Sequence, residues 1–314
     1  MGVLLEGQAG EIEIAGFLVA LKMKGETAGE IAGFARAMRD RMIEVDAGPD
    51  VIDTCGTGGD GSGTFNISTA VAIVMAGAGA HVAKHGNRSL SSNSGSADVL
   101  EALGVRVADV SPEEAGRSIR EIGIGFLFAP ALHPAMKYAQ PVRRTLKTRT
   151  VFNLLGPLAN PARANAQLIG APSLESARLM AEALAELGTR RAFVVHGQDG
   201  LDEITTTTAT DVYEVTAAGV QKHLWKPSEF GVQTAELTSL KGGDSHCNSQ
   251  MIMDILRGGA SACRDIVLVN AAAGLLASGL APDRGRGMEL AKQAIDSGAA
   301  LAKLDQLQKT FPNP

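Results

Sequence analysis

The chain has few aromatic residues, few cysteines and little excess charge, and each scarcity argues against a class of function. Aromatic residues make up 4% of its 314 residues, so the stacking platforms of proteins that bind single-stranded nucleic acid are not expected. The three cysteines, Cys55, Cys247 and Cys263, are too scattered for a disulfide framework or a zinc motif. A formal net charge of −5 argues against a general nucleic-acid binder.

Long hydrophobic runs are also lacking. The longest weakly polar stretch, residues 70–80, is too short and too Gly-rich to span a bilayer. The N-terminal stretch has no basic start and carries three Glu by position 13, unlike a secretory signal. Together with the cysteine usage, these features predict a cytoplasmic protein with no membrane contact.

Residues 1–45 have helical periodicity and predict a small all-helical unit. A first apolar run ends at Gly25, a second covers residues 31–42, and Gly48-Pro49 closes the unit. In the first run, the residues expected to recur on one face are Ile12, Ala15, Phe17, Leu18, Leu21 and Met23.

From residue 50 onward, short apolar runs alternate with helical stretches, which predicts an α/β fold with a mostly parallel sheet. Strands are predicted at 51–55, 81–84, 105–107, 125–129, 166–170 and 192–196, and helices at 68–77, 97–103, 112–122 and 174–187. Residues 212–215 and the Trp225 region predict an edge hairpin, residues 265–276 a buried helix or a strand plus helix, and residues 285–309 further helix. The predicted domains are a helical unit of 1–49, joined by part of the Pro-rich segment 133–161, and an α/β unit of 50–314.

The loop of residues 53–64 is rich in glycine and lies between a predicted strand and a predicted helix. Bare backbone amides at a helix N-terminus can hold phosphate. The loop matches the dinucleotide pattern at Gly56, Gly58 and Gly61, but the stretch about 20 residues on, 81–85, is basic where that pattern requires an acid. A dinucleotide oxidoreductase is therefore disfavoured, and a purely structural turn is the alternative.

The loop after the next strand, residues 84–96, combines two cations, an imidazole, two amides and five hydroxyls. This chemistry suits a polyanion and favours a functional loop, with a solvated linker as the alternative. Because parallel strands end at one edge of a sheet, we expect this loop to meet the Gly-rich loop.

Two further segments carry chemistry. Asp202 and Glu203 follow the predicted strand 192–196, where paired carboxylates suit Mg²⁺, unless they form a solvated turn. In the Pro-rich segment, Arg143 is a candidate clamp for a carboxylate, and His133 is either functional or structural.

The motifs, taken in order, resemble the anthranilate phosphoribosyltransferase family. They are Gly56–Asp60 (GTGGD), Asn66–Thr69 (NIST), Lys84–Ser89 (KHGNRS), Gly95–Asp98 (GSAD), His133–Lys137 (HPAMK), Asn153–Pro157 (NLLGP) and Gly200–Glu203 (GLDE). The resemblance implies a small helical domain, a larger α/β domain similar to that of pyrimidine nucleoside phosphorylases, and a homodimer. It also implies an enzyme that transfers phosphoribosyl from 5-phosphoribosyl 1-pyrophosphate (PRPP) to the amine of anthranilate, with Mg²⁺.

The resemblance further implies site residues. For PRPP these are Gly56, Gly59, Asp60, Thr64, Asn66, Ser68, Thr69, Lys84, Asn87, Arg88, Ser89, Ser91, Ser92 and Ser96. For anthranilate they are Gly56, Asn87, His133, Arg143 and Pro157, and for two Mg²⁺ ions Ser68, Asp202 and Glu203. No carboxylate in the motifs is clearly free to serve as a general base, so none is assigned.

Two departures from the family and two alternatives accompany this interpretation. The family usually has an extra helix ahead of the first segment, which often helps the helical domain to pair, and Asn93 stands where relatives often carry a basic residue. The alternatives are a pyrimidine nucleoside phosphorylase of the same fold and a non-catalytic nucleic-acid-binding relative.

Overall fold

The fold is built on a seven-stranded sheet of order β3-β2-β1-β4-β5-β6-β7, in a computed structural model that describes residues 1–89 and 94–313. The strands are β1 Val51–Gly56, β2 His81–Gly86, β3 Ile124–Phe128, β4 Ala166–Gly170, β5 Arg191–Gly197, β6 Thr210–Thr216 and β7 Gly219–Trp225. Strands β1 to β5 pair in parallel, whereas β6 and β7 form an antiparallel hairpin at one edge. The chain therefore has the expected α/β fold with a mostly parallel sheet.

Helices cover the sheet and form the N-terminal unit. They are α1 Gly2–Leu5, α2 Glu11–Lys24, α3 Ala28–Arg39, α4 Ile67–Gly77, α5 Ser96–Ala102, α6 Pro112–Ile122, α7 Ala129–Leu132, α8 Gln140–Leu146, α9 Phe152–Leu155, α10 Leu174–Glu186, α11 Ser245–Leu256, α12 Ala262–Ser278, α13 Arg284–Asp296 and α14 Ala299–Thr310. Short 3₁₀ helices lie at Pro134–Tyr138, Pro227–Phe230 and Leu237–Leu240. None of these helices is long and apolar enough to cross a membrane.

The core of the α/β unit lies where α4 and α12 pack together beside the sheet. Both helices are apolar on almost every side, which is the pattern of helices buried between layers. Close approach requires small residues: a Cβ on Gly77 would collide with the backbone of Ala300 in α14. The packing fixes the N-terminus of α4 beneath the loop that follows β1.

The N-terminal helices pack against part of the Pro-rich segment and against α10. Ile14 and Leu18 of α2 share one hydrophobic cluster with Val142 of α8, Phe152 of α9 and Met180 of α10. Helix α3 begins with a capping box, in which Thr27 Oγ1 accepts from the Glu30 N–H at 3.3 Å and the Glu30 carboxylate accepts from the Thr27 N–H at 3.0 Å.

Most predicted elements are confirmed within two residues, including the edge hairpin, and residues 265–276 lie in one longer buried helix, Ala262–Ser278. The predicted strand at 105–107 is wrong. Val105 makes only an isolated β-bridge to Pro312, and the Arg106 N–H donates to the Phe311 carbonyl at 2.8 Å. The segment therefore pairs with the C-terminal residues rather than with a strand of the sheet. Residues 285–309 form two helices, since Gly298 adopts a φ of +77° between them.

The predicted face of α2 is only partly correct. Leu18 and Leu21 are buried, but Ile12 and Met23 are 89% and 83% exposed. The helix is apolar on more than one side, so periodicity alone could not identify the side that meets the core.

Candidate functional site

The Gly-rich loop lies between β1 and α4, next to the point where the order of the sheet reverses between β1 and β4. Gly58, Gly59, Gly61 and Gly63 all have φ between +65° and +76°, a region that side chains disfavour. Asp60 stiffens the turn, since its carboxylate accepts from the Ser62 N–H at 3.2 Å and from Ser62 Oγ at 2.6 Å. Thr64, at the end of the loop, forms an isolated antiparallel β-bridge with Lys241.

The two adjacent carboxylates after β5 reach this loop. The Gly58 N–H donates to Asp202 Oδ2 at 3.0 Å, and a Cβ on Gly56 would meet the same oxygen. The Ser68 N–H, at the start of α4, faces the Glu203 carboxylate and favours its ionised form. The structure therefore joins the first and third predicted segments through the Gly58–Asp202 hydrogen bond.

The acidic side chains are crowded together and partly buried. Burial, and then the nearby charge of Asp60, raises the pKa of Asp202 to about 7. Burial, and then the charge of Asp202, raises the pKa of Glu203 well above its usual range, while Lys84 opposes that rise. Because these carboxylates are costly to ionise where they lie, a bound cation that neutralises their charge would be stabilised there.

Lys84 holds a buried positive charge beneath the same loops. Its Nζ donates to the Thr54 carbonyl at 2.7 Å and to Ser68 Oγ at 3.2 Å. Burial lowers the pKa of Lys84, and the charge of Asp53 counteracts that effect. The ammonium thus orients the hydroxyl that the family resemblance associates with metal binding.

The loop after β2 is held mainly by acids of α5. Arg88 forms ion pairs with Asp98 at 3.1 Å and with Glu101 at 2.6 Å, and these partners raise its pKa. Asn87 is exposed, and its carbonyl accepts from Ser96 Oγ at 3.3 Å. The Ser89 N–H donates to Asp98 at 3.1 Å. Ser91, Ser92 and Asn93 lie outside the described residues.

The N-terminus of α4 contributes further polar groups. Asn66 is its N-cap residue, but the side chain of Asn66 instead contacts the Ser94 carbonyl at 3.1 Å and Asn248 at 2.9 Å. Thr69 Oγ1 is buried and makes no hydrogen bond within the described part of the chain.

Two buried histidines contact one another beside the Pro-rich segment. His85 and His133 approach through their Nε2 atoms at 3.2 Å, and His85 Nδ1 lies 3.2 Å from the Gly156 carbonyl. Because a carbonyl can only accept, the neutral His85 ring carries its proton on Nδ1. Burial lowers the pKa of His85 to about 3 and that of His133 to about 4, so both rings are neutral at pH 7.

Arg143 and Pro157 lie elsewhere in the Pro-rich segment. Arg143, in α8, sits over the Phe152 ring with 5.3 Å between its guanidinium carbon and the ring centre, and makes no ion pair within residues 1–89 and 94–313. Burial lowers its pKa. Pro157 is buried, and its carbonyl accepts from Gln167 Nε2 at 2.7 Å.

Two positions that sequence reasoning did not single out also shape the site. Asn270, buried in α12, accepts from the Ile204 N–H and donates to the Ile204 carbonyl, both at 2.9 Å, directly after Glu203. Arg149 donates to two carbonyls of the Gly-rich loop. Neither lies in a recognisable motif; an Asn inside an apolar helix was the one available signal, since such a buried amide needs partners.

These residues suit Mg²⁺ only if water and substrate oxygens supply part of its coordination shell. Among the described residues, no group of three or more His, Cys, Asp or Glu side chains could hold a metal ion. Mg²⁺ in phosphate-handling sites is commonly held by one or two carboxylates together with water and substrate oxygens. The crowded pair Asp202 and Glu203, with raised pKa values, fits that mode.

Comparison with known proteins places the chain among relatives. The helical bundle domain of a glycosyl transferase family matches residues 1–42, and the a/b domain of the same family matches residues 48–301. Anthranilate phosphoribosyltransferase of Solibacter usitatus is 58% identical over 98% of this chain and 91% of its own. The chain belongs to the anthranilate phosphoribosyltransferase family. It is therefore an enzyme of the glycosyltransferase class, and the resemblance stated from its motifs is confirmed.

Solved structures agree. The enzyme of Thermus thermophilus has a TM-score of 0.93 and 43% identity, covering 98% of this chain and 92% of its own. The Saccharomyces cerevisiae enzyme in complex with PRPP and Mg has a TM-score of 0.88 and 30% identity, covering 96% and 85%. These relatives favour the transferase over the phosphorylase and nucleic-acid-binding alternatives.

Proposed function

We propose that this enzyme transfers the 5-phosphoribosyl group of PRPP to the amine of anthranilate and releases pyrophosphate, a step of L-tryptophan biosynthesis. One observation carries the proposal: the Gly58–Asp202 hydrogen bond joins the Gly-rich loop to the carboxylates after β5, and Ser68 at the N-terminus of α4 faces Glu203. Loops with phosphate-binding and metal-binding chemistry thus meet at the carboxyl edge of the sheet, in a chain of this family.

PRPP binds, in this proposal, over the Gly-rich loop and the N-terminus of α4. Backbone amides and the helix dipole favour its negative charges there, and Lys84 adds a buried cation. The proposed contacts are Gly56, Gly59, Asp60, Thr64, Asn66, Ser68, Thr69, Lys84, Asn87, Arg88, Ser89, Ser91, Ser92 and Ser96. For Arg88 to reach phosphate, its pairing with Asp98 and Glu101 must open.

Ser68, Asp202 and Glu203 are the proposed ligands of two Mg²⁺ ions. When bound, Mg²⁺ neutralises the charge that builds on the leaving pyrophosphate. The chain prepares for this binding by placing the Ser68 N–H opposite Glu203 and by orienting Ser68 Oγ, which accepts from Lys84 Nζ.

Anthranilate is proposed to lie between the α/β unit and the Pro-rich segment. The Arg143 guanidinium is unpaired in the described residues and matches the two oxygens of the anthranilate carboxylate. Asn87 and Gly56 approach from the loop side, while His133 and Pro157 shape the entrance. A neutral His85–His133 pair adds no charge of its own to this region.

Positioning carries the proposed chemistry. The aryl amine needs no strong activation when it is held in line with the C1–pyrophosphate bond, because alignment alone removes much of the barrier. No side chain is assigned as general base.

The proposed helical unit is 1–49 with part of 133–161, and the proposed α/β unit is 50–314.

The exposed stripe of α2, formed by Ile12, Val19 and Met23, is proposed to pack against a second copy in a homodimer, since these residues share one helix face and are 89%, 39% and 83% exposed. Ile12→Glu should yield monomers in light scattering after gel filtration. The exposed control Lys22→Glu should stay dimeric; a dimeric Ile12→Glu variant would reject the stripe as the interface.

The proposed reaction is tested by following anthranilate fluorescence with purified protein, PRPP and Mg²⁺. The signal should decay only when all components are present, and EDTA should stop it. No decay from folded protein, together with phosphate-dependent cleavage of thymidine, would replace the proposal with the phosphorylase activity.

A further inference from the structure

Arg149 connects the Pro-rich segment to the Gly-rich loop. It lies between α8 and α9, the helices that contact α2 and α3. Its Nη1 donates to the Gly58 carbonyl at 2.8 Å and to the Gly59 carbonyl at 3.2 Å. A Cβ on Gly59 would collide with Nη1, so this glycine makes room for the guanidinium.

These contacts determine where the loop amides point. In a planar trans peptide, the carbonyl of one residue and the N–H of the next point in opposite directions. Since the Gly58 and Gly59 carbonyls turn toward Arg149, the Gly59 and Asp60 N–H groups turn away from it. Neither amide forms a hydrogen bond within the described residues.

If these two peptide groups were flipped, the Gly58 and Gly59 carbonyls would face the ligand, and the loop would suit a cation rather than a phosphate. Without Arg149, nothing in the described chain holds the two carbonyls back, and a carbonyl facing the ligand would repel an anion. Arg149 Nη2 is buried and likewise has no hydrogen-bond partner in that part of the chain. The contact thus aligns two amide donors and brings a positive charge close to them.

We propose that Arg149 is a positioning residue that turns the Gly59 and Asp60 amides toward a phosphate group of the sugar substrate. The inference rests on the proposed function, since it deepens the PRPP site of the same loop. It also gives the Pro-rich segment a role at the phosphate end of that substrate, distant in sequence from every phosphate motif.

The test measures the affinity of wild type and variants for pyrophosphate with Mg²⁺ by calorimetry, and the KM of each substrate. Arg149→Ala should weaken pyrophosphate binding and raise the KM for PRPP by about tenfold, equivalent to about 1.4 kcal/mol. The KM for anthranilate should stay near the wild-type value. Arg149→Lys keeps the charge, but its single nitrogen sits on a shorter side chain than the Nη1 atom that donates to both carbonyls, so it should rescue only part of the loss. Arg144→Ala, which removes an exposed cation of the same segment, is the matched control.

The outcomes separate this inference from the proposed function. If wild-type protein neither binds pyrophosphate with Mg²⁺ nor transfers phosphoribosyl, the proposed function fails. If wild type binds but Arg149→Ala binds equally well, or if both KM values rise together, the positioning role is rejected. Full rescue by lysine would also overturn it, because charge alone would then suffice. Should the alanine variant not fold, as judged by circular dichroism, the lysine variant alone decides.

Discussion

The buried histidine pair predicts a specific loss of stability in mild acid. His85 and His133 have pKa values lowered by burial to about 3 and about 4, against 6.5 for an ordinary histidine. Each is therefore neutral in the folded protein at a pH where the unfolded chain binds a proton. Their contribution to stability is complete above pH 6.5 and is lost progressively as the pH falls toward these lowered values.

The size of the loss follows from the two pKa values. A pH of 5 lies about 1.5 units below the pKa of a histidine in the unfolded chain, so that histidine is almost fully protonated. Because the buried ring stays neutral, this protonation stabilises the unfolded chain relative to the folded state by about 2 kcal/mol per ring. Two rings together remove about 4 kcal/mol from a typical total of about 5–15 kcal/mol. His133→Gln keeps a neutral polar side chain and should remove one half of this dependence.

The assay compares urea unfolding of wild type and variant at pH 7.5 and pH 5. The difference in unfolding free energy between wild type and His133→Gln should shift by about 2 kcal/mol in favour of the variant at pH 5. His81→Gln, at an exposed position, is the matched control and should show no such shift. A pH-independent difference for His133→Gln would refute the view that burial keeps this ring neutral.

Three further predictions address the site and the helical unit. Asp202→Asn with Glu203→Gln should lower Mg²⁺-dependent turnover by at least about a hundredfold, while the melting temperature holds or rises, since raised pKa values mark both carboxylates as costly; wild-type turnover would remove them from the metal site. Arg143→Ala should raise the KM for anthranilate by about tenfold, as one charge-assisted contact predicts, with little change for PRPP; equal changes in both would show that it does not select anthranilate. Thr27→Ala should cost about 1 kcal/mol in thermal unfolding by loss of a helix cap, and an unchanged melting curve would contradict the capping assignment.

Much of the fold was predictable because local patterns agree with the tertiary structure. The β1–loop–α4 unit was found from an apolar run, a cluster of glycines and a helix. The strand predicted at 105–107 was not correct, because its apolar side chains are buried while its backbone meets the C-terminal end of the chain rather than the sheet. Periodicity reports burial but not the hydrogen-bond partner.

The residues of the candidate site also differ in whether the sequence alone predicts them. Motif residues such as Lys84 and Asp202 were identified from residue type and spacing, and the structure brings their loops together. Arg149 and Asn270 were not, since each acts through backbone groups of a distant segment. A polar residue in an apolar helix, such as Asn270, shows that a partner is needed, but a single sequence does not show which distant residue supplies the carbonyl or the amide.

The amide of Asn270 has a consequence for how this protein can change. The residue lies in α12, most of whose residues are buried and apolar, yet it satisfies both backbone groups of Ile204, 66 residues away. An apolar side chain at position 270 would leave the N–H and the carbonyl of Ile204 without these partners, right beside Glu203. Efforts to increase thermal tolerance through α12 therefore compete with the placement of the acidic loop. The side chain that suits position 270 is thus set by the backbone of that loop as well as by the helix that carries it.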